Sequence, residues 1–464
     1  MTELSTDFSN FHWDDEMIRR YEGKGPRYTS YPTALSFAPI KQNQFLAHAA
    51  RYKDSAEPIS LYVHVPFCER LCFYCGCNKI VTQQKEKANP YIEALAKEME
   101  IVGPNFDKRR VQQLHFGGGT PNYLTKEQFQ KVISKLKKYF DLDMNRDGEY
   151  SIEVDPRTLT TEQVSHYRKL GINRISMGIQ DFDPDVQKAI NRVQSYEEVE
   201  AITKAARGCG YKSISYDLIY GLPLQTVETF EKTLNQVVEL NPDRIAVFNY
   251  AHLPDRFKSQ RLIDSDSIPS SATKLDLLHL TISKLMEAGY VYIGMDHFAK
   301  ADDELCKAQR AGSLQRNFQG YSTHNELDLV GLGASSISLV QGLYSQNAKG
   351  LKLYQNFLAQ GILPTEKGYQ LNKDDELRKD LIMTLACQYR IDYQTFEKKY
   401  DISFVDYFHT ELMSLKNFVD DDMVTLTDNA LTISQPGRLL IRSICMAFDA
   451  HMNPELQQRF SKVI

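Results

Sequence analysis

The sequence predicts an α/β fold: a partial (β/α) barrel with an N-terminal extension and a mostly helical, winged-helix-like C-terminal domain. Three observations carry this. Between Leu61 and about Phe298, short β-type runs alternate with longer stretches of helical period, the signature of βα units around a parallel sheet. The units are too many for a minimal dinucleotide fold and fall short of a full eight-unit barrel. From about Asp374 the alternation stops and helical period takes over.

In chain order, a helix is expected over Asp14 to Glu22, followed by the rigid aromatic string Arg27-Tyr28-Thr29-Ser30-Tyr31-Pro32. Strands are expected at Leu61 to Phe67, Gln113 to Phe116, Tyr150 to Val154, Arg174 to Ile179, Ser213 to Ile219, Arg244 to Tyr250 and Tyr290 to Met295. Helices are expected between them at Pro90 to Val102, Lys126 to Phe140, Thr161 to Leu170, Tyr196 to Arg207, Thr226 to Leu240 and Ala272 to Ala288. Two further helices, Asp375 to Gln388 and Tyr393 to Tyr400, precede two short runs, Met423 to Leu426 and Ala430 to Ile433, that turn at Asp428-Asn429. A last helix is read over Arg438 to Met446. The expected division is a covering segment 1–55, a barrel 56–370 and a helical domain 371–464. In a barrel of this kind the working residues sit on the loops after the strands.

With 464 residues, 42% hydrophobic, the chain can bury a large core without help from disulfides. Its net charge of −5 argues against a broad nucleic-acid footprint, so no nucleic-acid partner is expected, and an anionic small molecule needs a local basic pocket instead. No apolar run approaches the roughly 18 residues of a membrane helix, and Met1 to Asn10 is acidic and polar. A cytoplasmic protein without a membrane partner, working as a monomer, is the expectation.

Cys209, Cys306, Cys387 and Cys445 are scattered singly and read as core residues. Cys68, Cys72, Cys75 and Cys77 fall within ten positions, directly after the first strand. In a chain of this kind such a cluster favours metal or redox chemistry over disulfides. Three thiolates on three irons of a cubane leave the fourth iron open, and that corner can be chelated by the amino and carboxylate groups of S-adenosylmethionine. The bland alternative is a structural zinc site using all four cysteines, but zinc sites commonly pair two Cys-x2-Cys knuckles across a longer span, and only Cys72 and Cys75 form such a knuckle. Gly76 would let Cys77 bend toward the metal. Spacing alone does not assign Cys77; the expectation leaves it out, because a fourth thiolate would close the open iron.

The string Leu61-Tyr-Val-His-Val-Pro-Phe-Cys68 with Cys68-x3-Cys72-x2-Cys75-Gly-Cys77-Asn78 resembles the radical S-adenosylmethionine superfamily, and within it the oxygen-independent coproporphyrinogen III oxidase (dehydrogenase) branch. The likeness runs from Arg27-Tyr-Thr-Ser-Tyr-Pro32 through Gly294-Met-Asp-His-Phe298 and Arg316-Asn-Phe-Gln-Gly-Tyr321 to Gly437-Arg-Leu-Leu-Ile-Arg442. It implies a barrel of the radical S-adenosylmethionine type, one 4Fe-4S cluster on Cys68, Cys72 and Cys75, and two molecules of S-adenosylmethionine. The implied activity is oxidative decarboxylation of two propionates of coproporphyrinogen III in haem biosynthesis, with an electron donor and an acceptor that the sequence does not identify.

Several candidate contacts stand on position first. Gly117-Gly118-Gly119-Thr120-Pro121 ends the second strand, where missing side chains let backbone approach a ligand, although tight turns use the same residues. Glu153 ends the third strand and is either a salt-bridged acid or an acceptor for ribose hydroxyls or an α-amino group. The resemblance implies cofactor contacts from Gly118, Gly119, Thr120 and Glu153, from Tyr62 and Tyr74, and from Gln180, Arg192, Asp217, Ala251 and Ile337 for a second cofactor molecule. His64 reads equally as a core histidine or as a group touching cluster or cofactor. Arg27, Tyr28 and Tyr31 read either as an aromatic staple for the N-terminus or as a cover over a tetrapyrrole. No residue is required as a general base. The rivals are a haem chaperone of the same superfamily, which usually has an aromatic residue where Cys77 stands, and a zinc-stabilised binding protein.

Overall fold

The structure, a computed structural model, describes residues 14–462 except Glu22, Gln42, Asn325 and Glu326. Met1 to Asn10, read above as an acidic start, lies outside the described residues; so does Glu22, and the first expected helix is described as Asp15–Arg20.

Six strands, β1 (Ile59–Val65), β2 (Val111–Gly118), β3 (Glu149–Val154), β4 (Arg174–Gln180), β5 (Ser213–Tyr220) and β6 (Arg244–Asn249), lie side by side and parallel. Each corresponds to one of the expected strands. The seventh candidate does not join them as a parallel strand. It forms β7 (Tyr290–Gly294), and left-handed backbone at Gly294 (φ 146°) and Met295 (φ 52°) turns the chain straight back into β8 (His297–Lys300). β8 then pairs antiparallel with β6. At the other side of β1 the sheet is extended by strands the pattern did not reveal: β9 (Asp328–Leu332), parallel to β1, then β10 (Ile337–Val340), β11 (Leu343–Asn347) and β12 (Thr365–Gln370), all antiparallel. The result is an open barrel inside a 13-stranded sheet.

Strand alternation gives the barrel its polar lumen. In β3, Tyr150, Ile152 and Val154 are buried while Ser151 and Glu153 face inward and stay partly accessible. The outer faces are covered by α1 (Asn89–Val102), α2 (Lys126–Tyr139), α3 (Thr161–Leu170), α4 (Tyr196–Gly208), α5 (Val227–Leu240) and α6 (Ser271–Glu287). Capping boxes at Thr125/Gln128, Thr160/Gln163, Ser195/Glu198 and Thr226/Thr229 fix where α2 to α5 begin, so the connecting loops have defined ends.

The C-terminal part opens with α7 (Lys373–Gln388) and holds a three-stranded antiparallel sheet of Arg390–Asp392, Ala430–Ile433 and Val424–Leu426. The helix expected over Arg438 to Met446 is split at Leu440 into Gln435–Leu439 and Ile441–Met446. Cys306, Cys387 and Cys445 are buried and Cys209 is partly buried. No helix among the described residues is long and apolar enough to cross a membrane.

Candidate active site

The cysteine loop leaves β1 and is closed at its base where Phe67–Cys68 pairs with Ile80–Val81. Residues from later loops tie it down: Asn191 Nδ2 donates to the Leu71 carbonyl (2.7 Å), Gln260 Nε2 to that of Tyr74 (2.8 Å) and Ser259 Oγ to that of Cys75 (3.1 Å). Each sulfur of the Cys-x3-Cys-x2-Cys set accepts a hydrogen bond. Cys68 receives the Thr120 hydroxyl (3.4 Å), Cys72 the guanidinium groups of Arg157 (3.2 Å) and Arg192 (3.4 Å), and Cys75 the Cys77 N–H (3.4 Å). Burial pushes the Cys68 thiol up to about 11, so it holds its proton until a metal displaces it.

Donors aimed at sulfur suit thiolates bound to an iron-sulfur cluster. Among the described residues no three His, Cys, Asp or Glu side chains converge as they would on a single ion.

Opposite the thiols, the end of β2 is a cradle that side chains would fill. A Cβ on Gly118 (φ 115°) would lie 2.6 Å from His64 Cε1, and one on Gly119 would lie 2.8 Å from the Phe67 carbonyl oxygen. The Gly119 N–H donates to the Val65 carbonyl (2.8 Å), joining this cradle to the strand that launches the cysteine loop. His64 completes the joint. Its Nδ1 accepts from the Tyr62 hydroxyl and its Nε2–H donates to the Asn78 carbonyl, both at 3.1 Å, and burial keeps the ring neutral. Tyr62 in turn stacks on His115 (5.9 Å, 15°).

Between thiols and glycines lies a cavity of 250 Å³ bordered by Cys68, Cys72, Cys75, Tyr74, Gly118, Gly119, Thr120, Glu153, Gln180, Arg192 and Asp217. Glu153 is 46% accessible, but into this cavity. Burial would raise its pKa; the His115 ring at 3.0 Å and the Gly118 N–H at 3.3 Å outweigh this and hold the carboxylate below its ordinary range. Asp217 has its pKa raised to about 7 by burial and then by the charge of Glu153. The lumen therefore carries one fixed carboxylate and one that titrates near neutrality.

The structure does not bring every expected contact to this cavity. Ala251 borders a neighbouring cavity of 350 Å³, and its carbonyl accepts from Gln260 Nε2 (3.2 Å), the amide that also holds Tyr74. Ile337 opens β10 and packs on the cluster of Phe37, Tyr344 and Leu371. Tyr28 and Tyr31 are buried, their hydroxyls bonded to Asp449 (3.0 Å) and the Ala450 N–H (3.1 Å). Arg27 does reach the cavity wall, lying over Phe248 (5.5 Å) while paired with Asp296 (2.7 Å). Sequence reasoning missed Asp155 and Arg157, which border the same cavity and organise Cys72; their place directly after β3 was the available signal.

A family model described as "Radical SAM superfamily" matches residues 62–237, and one described as "HemN C-terminal domain" matches 371–440. Fold, thiol loop and glycine cradle thus define a protein of the radical S-adenosylmethionine class. Curated relatives named oxygen-independent coproporphyrinogen III oxidase share 46% identity in Pseudomonas aeruginosa and 48% in Escherichia coli, each over 97% of this chain and at least 98% of the relative. The solved Escherichia coli structure titled "Coproporphyrinogen III oxidase (HemN) from Escherichia coli is a Radical SAM enzyme" matches with a TM-score of 0.90 and 47% identity, over 95% of this chain and 99% of that one. The chain belongs to the oxygen-independent coproporphyrinogen III oxidase family.

Proposed function

We propose that this chain is the oxygen-independent oxidase that converts two propionates of coproporphyrinogen III into vinyl groups, giving protoporphyrinogen IX in haem biosynthesis. One observation carries the reading: three thiols, each served by a hydrogen-bond donor, stand at the mouth of a glycine-cradled polar lumen. The 4Fe-4S cluster is assigned to Cys68, Cys72 and Cys75. When bound, cluster and S-adenosylmethionine supply a carbon-centred radical able to remove a hydrogen atom from the β-carbon of a propionate. The substrate then loses carbon dioxide and one electron to an acceptor, and a vinyl group remains.

The side chains position and exclude. Glu153 is assigned to the amino group or ribose of the cofactor, the backbone of Gly118 and Gly119 to its close approach, and Tyr62 and His64 to the support beneath. Arg192 holds the cysteine loop through Cys72, and Gln180 and Asp217 face the same space. Ala251 and Ile337 stand outside this cavity, so their assignment to a second cofactor molecule rests on the resemblance alone. The enzyme is proposed to work in the cytoplasm as a monomer, with segments 1–55, 56–370 and 371–464 as cover, barrel and helical domain.

Anaerobic reconstitution with iron, sulfide, S-adenosylmethionine and a strong reductant tests the reading. Protoporphyrinogen IX is the expected product; haem retention without turnover would make the chain a chaperone, and bound zinc without iron a scaffold. Gly118→Ala tests the cradle separately. Because alanine at φ 115° is strained and its Cβ meets His64, S-adenosylmethionine affinity falls by about 10-fold or more while iron content stays near one cluster per chain. Equilibrium binding of the cofactor to the reconstituted variant measures this, and unchanged affinity removes the cradle assignment.

A further inference from the structure

A third, larger cavity of 530 Å³ lies at the other end of the barrel, between the N-terminal segment, the start of β2 and α7. The large cavity and the cofactor cavity share one lumen face. Gln113 borders the large one, and His115 and Gly117 follow on the same side of β2 toward Glu153, a span of about 13 Å at strand rise. Two further connections run along the wall. Arg316 borders the large cavity and donates from Nε to the Arg27 carbonyl (3.3 Å), while the Arg27 guanidinium covers Phe248 of the cofactor cavity. Arg316 also lies over Tyr321 (4.8 Å), whose ring meets His297 (5.1 Å), which meets Phe248 (5.9 Å).

Arg316 is only 6% exposed, and its Nη1 is buried without a hydrogen-bond partner. Among the described residues no carboxylate forms an ion pair with it. Asp296 is taken by Arg27 (2.7 Å), Asp328 by Arg109 (2.6 Å) and Asp380 by Lys399 (3.0 Å); Glu376, also on the cavity, makes no ion pair with Arg316. A guanidinium cannot shed its proton, and a buried charge left without a counter-ion is costly. Such a group is built to receive an anion from outside the chain.

We propose that the Arg316 guanidinium binds a substrate carboxylate, seating the macrocycle in the large cavity so that a different carboxyalkyl arm passes Phe248 into the cofactor cavity. This rests on the function proposed above, whose substrate carries four propionates. It makes Arg316 a specificity residue: it selects porphyrinogens by acid groups remote from the bond that breaks.

The test uses reconstituted enzyme, with fluorescence titration of oxidised coproporphyrin III and of its tetramethyl ester, beside KM and kcat for coproporphyrinogen III. Wild type prefers the acid to the ester. Arg316→Gln weakens acid binding by about 10- to 100-fold, leaves ester binding unchanged, and raises KM more than it lowers kcat. Iron content and S-adenosylmethionine affinity stay as in wild type. Equal acid and ester affinities before and after substitution, with KM unmoved in an active enzyme, overturn the proposal. Should Arg316→Gln misfold, Arg316→Lys decides: acid binding weakened by about 10-fold with ester binding unchanged supports the assignment, because an ammonium does not reproduce the guanidinium's planar reach, and acid and ester affinities both as in wild type sink it. A wild type that makes no vinyl product refutes the function instead, while loss of acid preference in Arg316→Gln would still locate the anion site.

Discussion

Cys72→Ser loses the iron-sulfur absorption and the turnover together. A serine hydroxyl stays protonated where a thiolate is needed, and here it faces two guanidinium groups placed at 3.2 and 3.4 Å to serve a negatively charged sulfur. Loss of an outer partner of a metal ligand alone costs about 10- to 100-fold, so loss of the ligand itself lowers activity by more than about 100-fold. Iron and sulfide analysis after anaerobic reconstitution, with the visible absorption spectrum, measures the first effect; vinyl product measures the second. Cys77→Ser is the informative control. The residue is exposed at the cavity rim, and Cys75 Sγ is served by both the Cys77 backbone N–H and its side-chain donor, each of which serine retains. The cluster therefore survives Cys77→Ser. A full iron complement in Cys72→Ser, or an empty Cys77→Ser, would reassign the ligands.

How far this site was legible follows from which residues carry local signals. Cys68, Cys72 and Cys75 announce themselves by spacing, and Gly118 and Gly119 by the absence of side chains at a strand end, where the structure does need glycine. Glu-Tyr-Ser-Ile-Glu-Val shows β3 because burial alternates along it. β9 was hidden for the opposite reason: all five residues of Asp328–Leu332 are buried, so no alternation marks them, and Gly331 reads as a turn. The antiparallel strands that follow are short, β10 and β11 turning tightly on one another, and it is the pairing of β9 with β1 that spans a long stretch of chain. β7 has strand composition, but the two left-handed residues at its end send the chain back as β8, which takes the place beside β6, and composition does not reveal that insertion. Tyr28 and Tyr31 show the same limit among side chains: a rigid aromatic string suits a staple and a lid equally, and only their partners near Asp449 show where the hydroxyls go.

Asp155 lies outside the expected set, yet its removal has a large expected effect. Its carboxylate accepts from Arg157 Nη2 (2.6 Å), Arg157 Nε (3.0 Å) and Arg192 Nη2 (3.2 Å), and the same two arginines serve Cys72. Burial alone would raise its pKa, but Arg192 and then Arg157 pull it down to about 2. Asp155→Ala leaves two buried guanidinium groups without a counter-ion, which costs roughly 3 to 5 kcal/mol of stability. The arginines then lose their fixed geometry, and cluster retention falls by about 10- to 100-fold. Asp155→Asn keeps an acceptor of the same shape and loses less of both.

The carboxylate also sets a pH dependence. Because its pKa is lower in the folded chain than the ordinary 3.8, its contribution is fully present above about pH 4 and is lost as pH falls toward 2. A depression of that size is worth roughly 2 to 3 kcal/mol. Denaturant melts of the wild type and Asp155→Ala at pH 7 and at successively lower pH therefore converge, the gap narrowing below about pH 4. A gap that stays constant over that range would show that the carboxylate's charge is not what holds the arginines, and wild-type stability and iron content in Asp155→Ala would remove it from the support of Cys72.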